Sequence, residues 1–293
     1  MERRAEGSVL LSGVLWGVIS LFVRFLSAGG LDSFQIAEAR MSTAALVMAV
    51  FLLITDRSKF KIRFRDLWMF FCTGIVSVAL MNFTYFYTIS NAEPSVASVL
   101  LYTSPAFVLL LSALFFREKP TAKQYLALVL MFVGCILVAG LSAGAIHSPV
   151  ILLTGIGSGL TYALYTIFSR FALKRYSVET VTFYTFLFAA LAFLPFCSPG
   201  ALFGTLSARP ELIAGGFGIG LISGALPFWF YTWGMERMAS GKAAILVAVE
   251  PVVGCLVGML CFHDSFDVTK IFGIVLIVSA IVLLGSEPTK KFA

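Results

Sequence analysis

Residues 241–262 read GKAAILVAVEPVVGCLVGMLCF, a run that is apolar except for Lys242 at its start and Glu250 near its middle. A helix needs roughly 20 mostly apolar residues to cross the hydrocarbon core of a bilayer. This run has that length, and it is too long for one strand of a membrane barrel. It therefore predicts a transmembrane helix that carries one carboxyl group directly before a proline.

Nine further runs of this kind fill the chain, and together they predict an all-α integral membrane protein. Hydrophobic residues make up 59% of the sequence and charged residues only 12%, whereas soluble proteins carry about 25% charged residues. A chain with so few charges cannot cover a water-exposed surface. The ten predicted spans are residues 8–27, 33–55, 66–88, 94–116, 121–141, 149–170, 178–196, 211–234, 241–262 and 267–285.

The basic residues predict the orientation of these spans. If the N-terminus is cytoplasmic, 17 of the 21 Lys and Arg residues fall on the cytoplasmic side, and only Arg209 and Lys270 fall in segments outside. Such an excess is what the positive-inside rule requires, so both termini are expected in the cytoplasm. Topology also accounts for the net charge of +6. The expected partner is the lipid bilayer, and no nucleic acid is expected.

The sequence repeats itself weakly at an interval of 146 residues, which predicts two halves, 1–147 and 148–293, of five helices each. Helices 2 and 7 require a slip of about two residues, which sets Arg40 opposite Tyr184. Because five is an odd number, the second half enters the membrane from the other side. Inverted repeats are a recurrent plan of secondary transporters that work by alternating access. The matching pairs are Trp16-Gly17 with Tyr162-Ala163, Arg24-Phe25 with Arg170-Phe171, Phe83–Tyr87 with Trp229–Trp233, Ser104-Pro105 with Glu250-Pro251, and Glu118 with Asp264.

At these positions the chain resembles the EamA-type family of the drug/metabolite transporter superfamily. The resemblance covers nearly the whole chain, and it rests on Trp16-Gly17, Ala39-Arg40, Tyr85-Phe86-Tyr87, Ser104-Pro105 and Glu118 in the first half and on Glu250-Pro251 and Asp264 in the second. Asp264 departs conservatively from the Glu that the family carries there. The resemblance implies a ten-helix basket around a central cavity and, in many bacterial members, export of amino acids or other metabolites.

Glu250 is the strongest candidate for chemistry, because a charged side chain within a membrane usually faces a cavity or a partner. Pro251 removes a backbone donor and is expected to free the carbonyl of Val247, four residues before it. A carboxylate beside a free carbonyl could hold a substrate ammonium group or a proton, so proton coupling is expected. Ser104 and Pro105 occupy the matching position in the first half. Both prolines are predicted helix breaks or hinges.

Three further polar residues within the spans are candidate substrate contacts. Glu38 and Arg40 point roughly 200° apart around their helix, so they are not expected to pair. Arg40 could bind a substrate carboxylate through two hydrogen bonds. Asn82 in the third span needs a partner, either substrate or another helix. Arg24 lies closer to a span end and is expected to snorkel towards the interface.

Aromatic side chains near the middle of spans would suit a cavity for an apolar or aromatic metabolite through stacking and cation–π contacts. Aromatic residues at span ends, among them Tyr85, Tyr87, Tyr231 and Trp233, are expected to form interfacial belts. The candidate cavity aromatics are Trp16, Tyr102, Tyr162, Tyr165, Tyr184 and Trp229.

These observations predict a secondary transporter of small metabolites, preferably an exporter of amino acids or related zwitterionic or cationic compounds, in the inner (plasma) membrane. Two alternatives stay open: a carrier of nucleotide sugars or phosphorylated metabolites, which would need several cavity cations, and a channel-like facilitator. No catalytic motif lies within the spans, so no enzyme is expected, and the five Cys and two His show no metal-ligand spacing. No cofactor is expected. The oligomeric state is open, and a monomer is plausible.

Overall fold

The computed structural model describes residues 2–140, 148–265 and 267–285. Within them, ten helices are long and apolar enough to cross a membrane, and no strand is present. His147, Lys290 and Lys291, the end of the predicted fifth span and the predicted boundary between the halves lie outside these residues. The ten helices are α1 Arg3–Ala28, α2 Ser33–Thr55, α3 Phe64–Asn91, α4 Pro94–Phe116, α5 Ala122–Ala139, α6 Pro149–Leu173, α7 Val178–Phe196, α8 Glu211–Met235, α9 Ser240–Phe262 and α10 Val268–Gly285.

The prediction of an all-α protein with ten membrane-crossing helices is confirmed, and most helix ends lie within three residues of the predicted ones. Local chemistry accounts for the sharp starts. Asp32 and Thr121 each cap a helix through a reciprocal capping box, with Gln35 and Gln124 as partners. One short helix, Pro199–Ala208, was not predicted, because its small and apolar residues follow a Ser-Pro pair typical of a loop.

Two of the long helices are broken near their middle at matching places. In α4 the helical pattern is interrupted at Tyr102 and Thr103, and in α9 at Val247 and Ala248. The breaks precede Pro105 and Pro251, which cannot donate the backbone hydrogen bonds of a continuous helix. Helices α3 and α8 match as well, since each contains π-helical turns that end at Ala79 and at Ala225, 146 residues apart.

Close helix crossings hold the bundle together, and glycine makes them possible. Helices α5 and α10 cross where the backbone of Gly134 meets that of Gly273, and a Cβ atom on either would lie 2.7 Å from the carbonyl oxygen of the other. Small residues at such crossings let transmembrane helices approach closely. Helix α1 likewise packs on α8 through Gly234, where an added Cβ would lie 2.5 Å from the Val9 side chain.

The two ends of the bundle differ in charge, and the site lies between them. We call the basic end the one where α1 begins and where α2 joins α3, α4 joins α5, α6 joins α7 and α8 joins α9. The other end, where α1 joins α2, α3 joins α4, α7 joins α8 and α9 joins α10, is called the opposite end.

The crossing of α5 and α10 gives a test of the packing. Gly134→Ala should lower the free energy of unfolding by about 1–3 kcal/mol, because the added methyl group overlaps the Gly273 carbonyl. Gly157→Ala is the matched control, since nothing lies within 4 Å of a Cβ placed there. Thermal unfolding in detergent should show a lower midpoint for Gly134→Ala alone. Equal midpoints for the two variants would contradict this packing.

Candidate functional site

Two adjoining cavities run from the middle of the bundle to the opposite end. The larger has a volume of about 460 Å³ and the smaller about 370 Å³. Their walls come from α1, α2, α3, α4, α6, α8 and α9, with Cys135 of α5 and Lys270 of α10 in the smaller one. The mouth includes Ser33, Pro94 and Asp264, which are exposed at the helix ends. Both cavities share Trp16, Ile19, Ser20, Tyr85, Pro94, Leu101 and Glu250.

A charged centre of one base and one acid lies at the inner part of the cavities. The buried Arg40 guanidinium donates a hydrogen bond to Asn82 Oδ1 at 3.0 Å, and Asn82 is itself held by donating to the Val78 carbonyl at 2.7 Å. Arg40 and Glu250 both line the larger cavity and attract each other electrostatically, and the Tyr102 hydroxyl interacts with the Glu250 carboxylate. In the described structure the buried Arg40 Nε has no hydrogen-bond partner. This donor is therefore left unsatisfied inside the bundle, next to the cavity that Arg40 lines.

Aromatic rings form the apolar wall beside this charged centre. The rings of Trp16 and Tyr162 meet edge to face at a centroid distance of 6.1 Å, and those of Trp16 and Phe228 at 5.1 Å. Edge-to-face pairs of this kind stabilise ring orientation. Trp16 and Tyr162 occupy matching positions of the two halves, so the repeat itself supplies this wall.

The structure brings six of the predicted site residues together in the cavity walls. Glu250, Arg40, Asn82, Trp16, Tyr162 and Tyr102 line a cavity, and so does the hinge residue Pro251. Ser104 and Pro105 are buried and do not line either cavity, because the break in α4 turns them into the packing between helices.

Four other candidates also lie away from the walls. Glu38 is buried and accepts a hydrogen bond from Ser42 one turn later. Tyr165 is buried against Phe228, and its hydroxyl is paired with Thr232. Tyr184 donates to the Phe60 carbonyl at the basic end, 2.7 Å away. Trp229 is half-buried beside the core and lines neither cavity.

The expected free carbonyl of Val247 was wrong. Its oxygen accepts a hydrogen bond of 3.0 Å from the backbone amide of Glu250. It also packs on α1, where a Cβ added to Gly13 would lie 2.7 Å from it. The break in α9 tightens the chain into a short turn that uses the Val247 carbonyl, which is therefore not left free beside Glu250.

Three residues assigned to the membrane interface turn out to be internal or paired. Tyr85 lines both cavities and interacts with Ser98. Tyr231 is buried, and its hydroxyl lies 2.8 Å from Thr166 Oγ1. Arg24 does not snorkel freely but lies over the Phe262 ring and pairs with Asp264. The position of an aromatic residue near a span end does not reveal which face of the helix it occupies, and that face decides its role.

The cavities are closed towards the basic end. The Arg170 guanidinium pairs with the Glu118 carboxylate and the Ser240 hydroxyl, which joins α6, α4 and α9. Lys242 in α9 pairs with Glu6 in α1 at 2.6 Å. Buried ion pairs of this kind are costly to separate, because each charge would be left without its partner. Within residues 2–140, 148–265 and 267–285, no group of three His, Cys, Asp or Glu side chains could hold a metal ion.

Comparisons with known proteins agree with this architecture. A model of the EamA-like transporter family matches residues 4–140 and again residues 149–286. An uncharacterized transporter of Archaeoglobus fulgidus is 30% identical over 293 residues, which cover 97% of each chain. The uncharacterized inner membrane transporter YicL of Salmonella typhimurium is 24% identical, with 99% of this chain and 97% of its own covered. A solved protein structure shares the fold, with a TM-score of 0.80, 18% identity and coverage of 97% and 96%.

Ten membrane-crossing helices around a polar cavity, together with these relatives, define a multi-pass membrane transporter rather than an enzyme. The chain belongs to the EamA-like transporter family.

Tyr85 was not predicted as a site residue, and its place in both cavity walls can be tested. Tyr85→Phe removes a hydroxyl from the wall and should reduce transport roughly three- to tenfold, the usual effect of losing one hydrogen bond. Tyr87→Phe is the matched control, since Tyr87 is exposed and lines neither cavity. Initial rates in proteoliposomes would measure both. A loss that is equal in the two variants would place Tyr85 outside the substrate path.

Proposed function

We propose that this protein is a secondary transporter that exports small zwitterionic or cationic metabolites, with amino acids as the preferred class, by alternating access. The single observation that carries the proposal is the presence of one base and one acid in the same cavity. Arg40 and Glu250 line the same cavity, beside an aromatic wall, and one nitrogen of Arg40 has no partner in the described structure.

A zwitterion complements this centre better than a single charge does. Its carboxylate can accept hydrogen bonds from the Arg40 guanidinium, which is suited to such planar groups. Its ammonium group can pair with the Glu250 carboxylate at the start of the second half of α9. An apolar side chain would then lie against Trp16 and Tyr162. Since α2 and α9 belong to different halves, the substrate would bridge them.

A phosphorylated cargo fits the cavity less well, although two further cations lie in its walls. Arg24 is neutralised by Asp264 at 3.3 Å, and Lys270 donates to the Ser265 carbonyl near the mouth. Lys270, like Arg40, forms no ion pair among the described residues, but it lies near the mouth, so Arg40 is the cation of the charged centre itself. A channel-like facilitator would need a continuous path, whereas paired and packed side chains close the basic end here.

Glu250 is also the group that would couple transport to protons. Its carboxyl group lies at the centre of the cavities, where the Tyr102 hydroxyl forms a hydrogen bond with it and the Arg40 charge attracts it. When Glu250 binds a proton, its attraction for an ammonium group disappears. Binding of substrate and of a proton would therefore compete, as an exchanger requires.

The decisive experiment compares wild type with Glu250→Gln in proteoliposomes. Counterflow of labelled amino acids and amines, with organic phosphates in the same panel, should be saturable in the wild type and should depend on pH. Glu250→Gln should lose roughly tenfold or more of the rate and should lose the pH dependence, because hydrogen bonds to charged groups are the strong ones. The matched control is Glu236→Gln, at an exposed carboxylate of the basic end.

Each other outcome changes the proposal in a definite way. Unchanged transport in Glu250→Gln would limit that residue to helix packing. Flux of the organic phosphates alone would replace zwitterions by phosphorylated cargo, and flux that never saturates would indicate a channel. If an outward gradient of substrate drives no net flux, the proposed direction of transport, export, is wrong.

The orientation that we propose, with both termini in the cytoplasm of the host cell and the protein in its inner (plasma) membrane, follows from the basic connections. In intact cells that carry a variant with all five native cysteines replaced by Ala, a thiol reagent that cannot cross membranes should label Ser207→Cys without permeabilisation. Ser207 lies in the exposed helix at the opposite end. Ser58→Cys, exposed at the basic end, should react only after the membrane is opened. The reverse pattern would invert the topology.

A further inference from the structure

The interval of 146 residues relates the cavity wall to a set of buried polar side chains on the other side of the charged centre. Helix α1 lines the cavities with Ile19, Ser20 and Val23, whose matching residues in α6 are Tyr165, Thr166 and Ser169. These three matching residues are exposed by only 1%, 2% and 0%. The same side chain positions thus line a cavity in one half and are sealed in the other.

Helices α3 and α8 show the same relation. Tyr85 and Phe86 line the larger cavity, and their matching residues in α8 are Tyr231 and Thr232, both buried. The buried hydroxyl groups satisfy one another across α6 and α8: Tyr165 pairs with Thr232 at 2.7 Å, and Thr166 with Tyr231 at 2.8 Å. Each of these four buried hydroxyls needs a hydrogen-bond partner inside the bundle, a requirement that apolar side chains at the same positions would not have.

An ion pair stands at each end of this arrangement, and the same interval relates the two pairs. Arg24 in α1 pairs with Asp264, which follows α9, and Arg170 in α6 pairs with Glu118, which follows α4. The aromatic partners match too, since Arg24 lies over the Phe262 ring and Arg170 over the Phe116 ring.

The backbone that presents the two carboxylates is the same turn. Arg117 and His263, which precede the acids, both adopt left-handed conformations with φ of 54° and 57°. The amide of Glu118 donates to the Ser112 carbonyl at 3.3 Å, and that of Asp264 to the Gly258 carbonyl at 3.1 Å. The same backbone turn therefore presents a carboxylate at each end of the bundle.

The two pairs nevertheless differ in state. The side chains of Arg170 and Glu118 are exposed by 10% and 11%, whereas those of Arg24 and Asp264 are exposed by 52% and 46%. Glu118 also accepts hydrogen bonds from the Ser240 amide and hydroxyl, both at 3.2 Å, and so binds the start of α9. The matching residue of Ser240 is Pro94, which shares the wall of the smaller cavity with Asp264. At the opposite end, Pro94 and Asp264 therefore line the cavity mouth, whereas Ser240 and Glu118 are hydrogen-bonded to each other at the basic end.

We propose that the ion pairs Arg170–Glu118, at the basic end, and Arg24–Asp264, at the opposite end, are two gates that close in turn. When the Arg170–Glu118 gate opens, the substrate pathway to the basic end is lined by Tyr165, Thr166, Ser169, Tyr231 and Thr232. This inference rests on the proposed transport function. In the second conformation the Arg24–Asp264 pair is sealed against the start of α4, and the hydroxyl groups of α6 and α8 exchange their mutual hydrogen bonds for water and substrate.

A difference between the halves biases this exchange towards the present conformation. Ser240 offers both an amide and a hydroxyl to Glu118, but Pro94 has neither, so Asp264 cannot gain the same hydrogen bonds when the opposite end closes. Asp264 is also shorter than Glu118 by one methylene group. The gate at the basic end is therefore the stronger one, and a substrate-free carrier rests with the opposite end open.

The test measures reaction of single cysteines with a hydrophilic maleimide in lipid nanodiscs, where both ends are accessible. Cys72, Cys135, Cys197, Cys255 and Cys261 are first replaced by Ala. With the gates intact, Val23→Cys should react readily and Ser169→Cys should be protected. Adding Glu118→Gln should speed labelling of Ser169→Cys by about tenfold or more, because it opens a buried ion pair, and should slow labelling of Val23→Cys.

The labelling rate of Val23→Cys distinguishes gate opening from a general loss of packing, because gate exchange should slow it while it speeds labelling of Ser169→Cys. If both cysteines react faster in Glu118→Gln, the variant has only loosened the fold, and the proposal fails. It fails as well if Ser169→Cys stays protected in Glu118→Gln. The proposal is supported if labelling of Ser169→Cys becomes faster while labelling of Val23→Cys becomes slower.

A second variant leaves the buried pair intact. Pro94→Ser gives Asp264 the amide and hydroxyl that Ser240 gives Glu118. It should shift labelling in the same sense by about fivefold, the effect of one or two added hydrogen bonds. Pro199→Ser, at the start of the exposed helix between α7 and α8, is the control and should change neither rate.

The labelling rates require no substrate, so they are independent of the transport assay. Reciprocal labelling without flux of any metabolite would support the gates and overturn the proposed substrate class. Saturable flux in a protein whose Ser169→Cys never reacts would support the transport function and overturn the gates.

Discussion

The cost of holding charge inside a bilayer governs this structure. Arg40 and Glu250 lie in the middle of a bundle whose outer surface is apolar, and each would be expensive there without a partner or water. The fold meets the cost with a cavity open to one end and with a second charge across it. Asn82 and Tyr102 then fix the two groups in place. A bundle that must keep such a cavity wet cannot pack to a uniform core, and its polar interior follows from that requirement.

Hydropathy predicted the ten helices well because the bilayer leaves the backbone few alternatives. The bounds of α2 and α4, at Ser33–Thr55 and Pro94–Phe116, agree with the predicted spans at both ends. The site was harder to predict. Glu250, Arg40 and Asn82 stood out because polar groups are rare within spans, and all three line the larger cavity. Tyr85 and Tyr231 were assigned to the interface instead. Which face of a helix points inward depends on packing between helices, and a uniformly apolar span carries almost no periodic pattern to reveal it.

The repeat contained more information than its weak sequence match suggests. Only a few identical pairs define the interval, yet the structure shows the same left-handed turn after α4 and after α9, the same Arg–carboxylate pair and the same aromatic ring beneath the Arg. Backbone geometry and charge placement are preserved where side chain identity is not. The differences at single positions, Ser240 against Pro94 and Glu118 against Asp264, are what a sequence comparison alone would treat as noise.

Those differences also make the two halves of a nearly symmetric fold unequal in stability and in charge. Two identical halves would make both end states equally stable and would put the same group on each side of the substrate. Here the acid of the charged centre comes only from the second half, since its matching residue is Ser104, and the base comes only from the first. In the proposed function, a zwitterion would therefore bind in one orientation across the boundary between the halves. In the proposed gating cycle the halves would move relative to each other, so a ligand that holds both would be the one that influences which gate is closed.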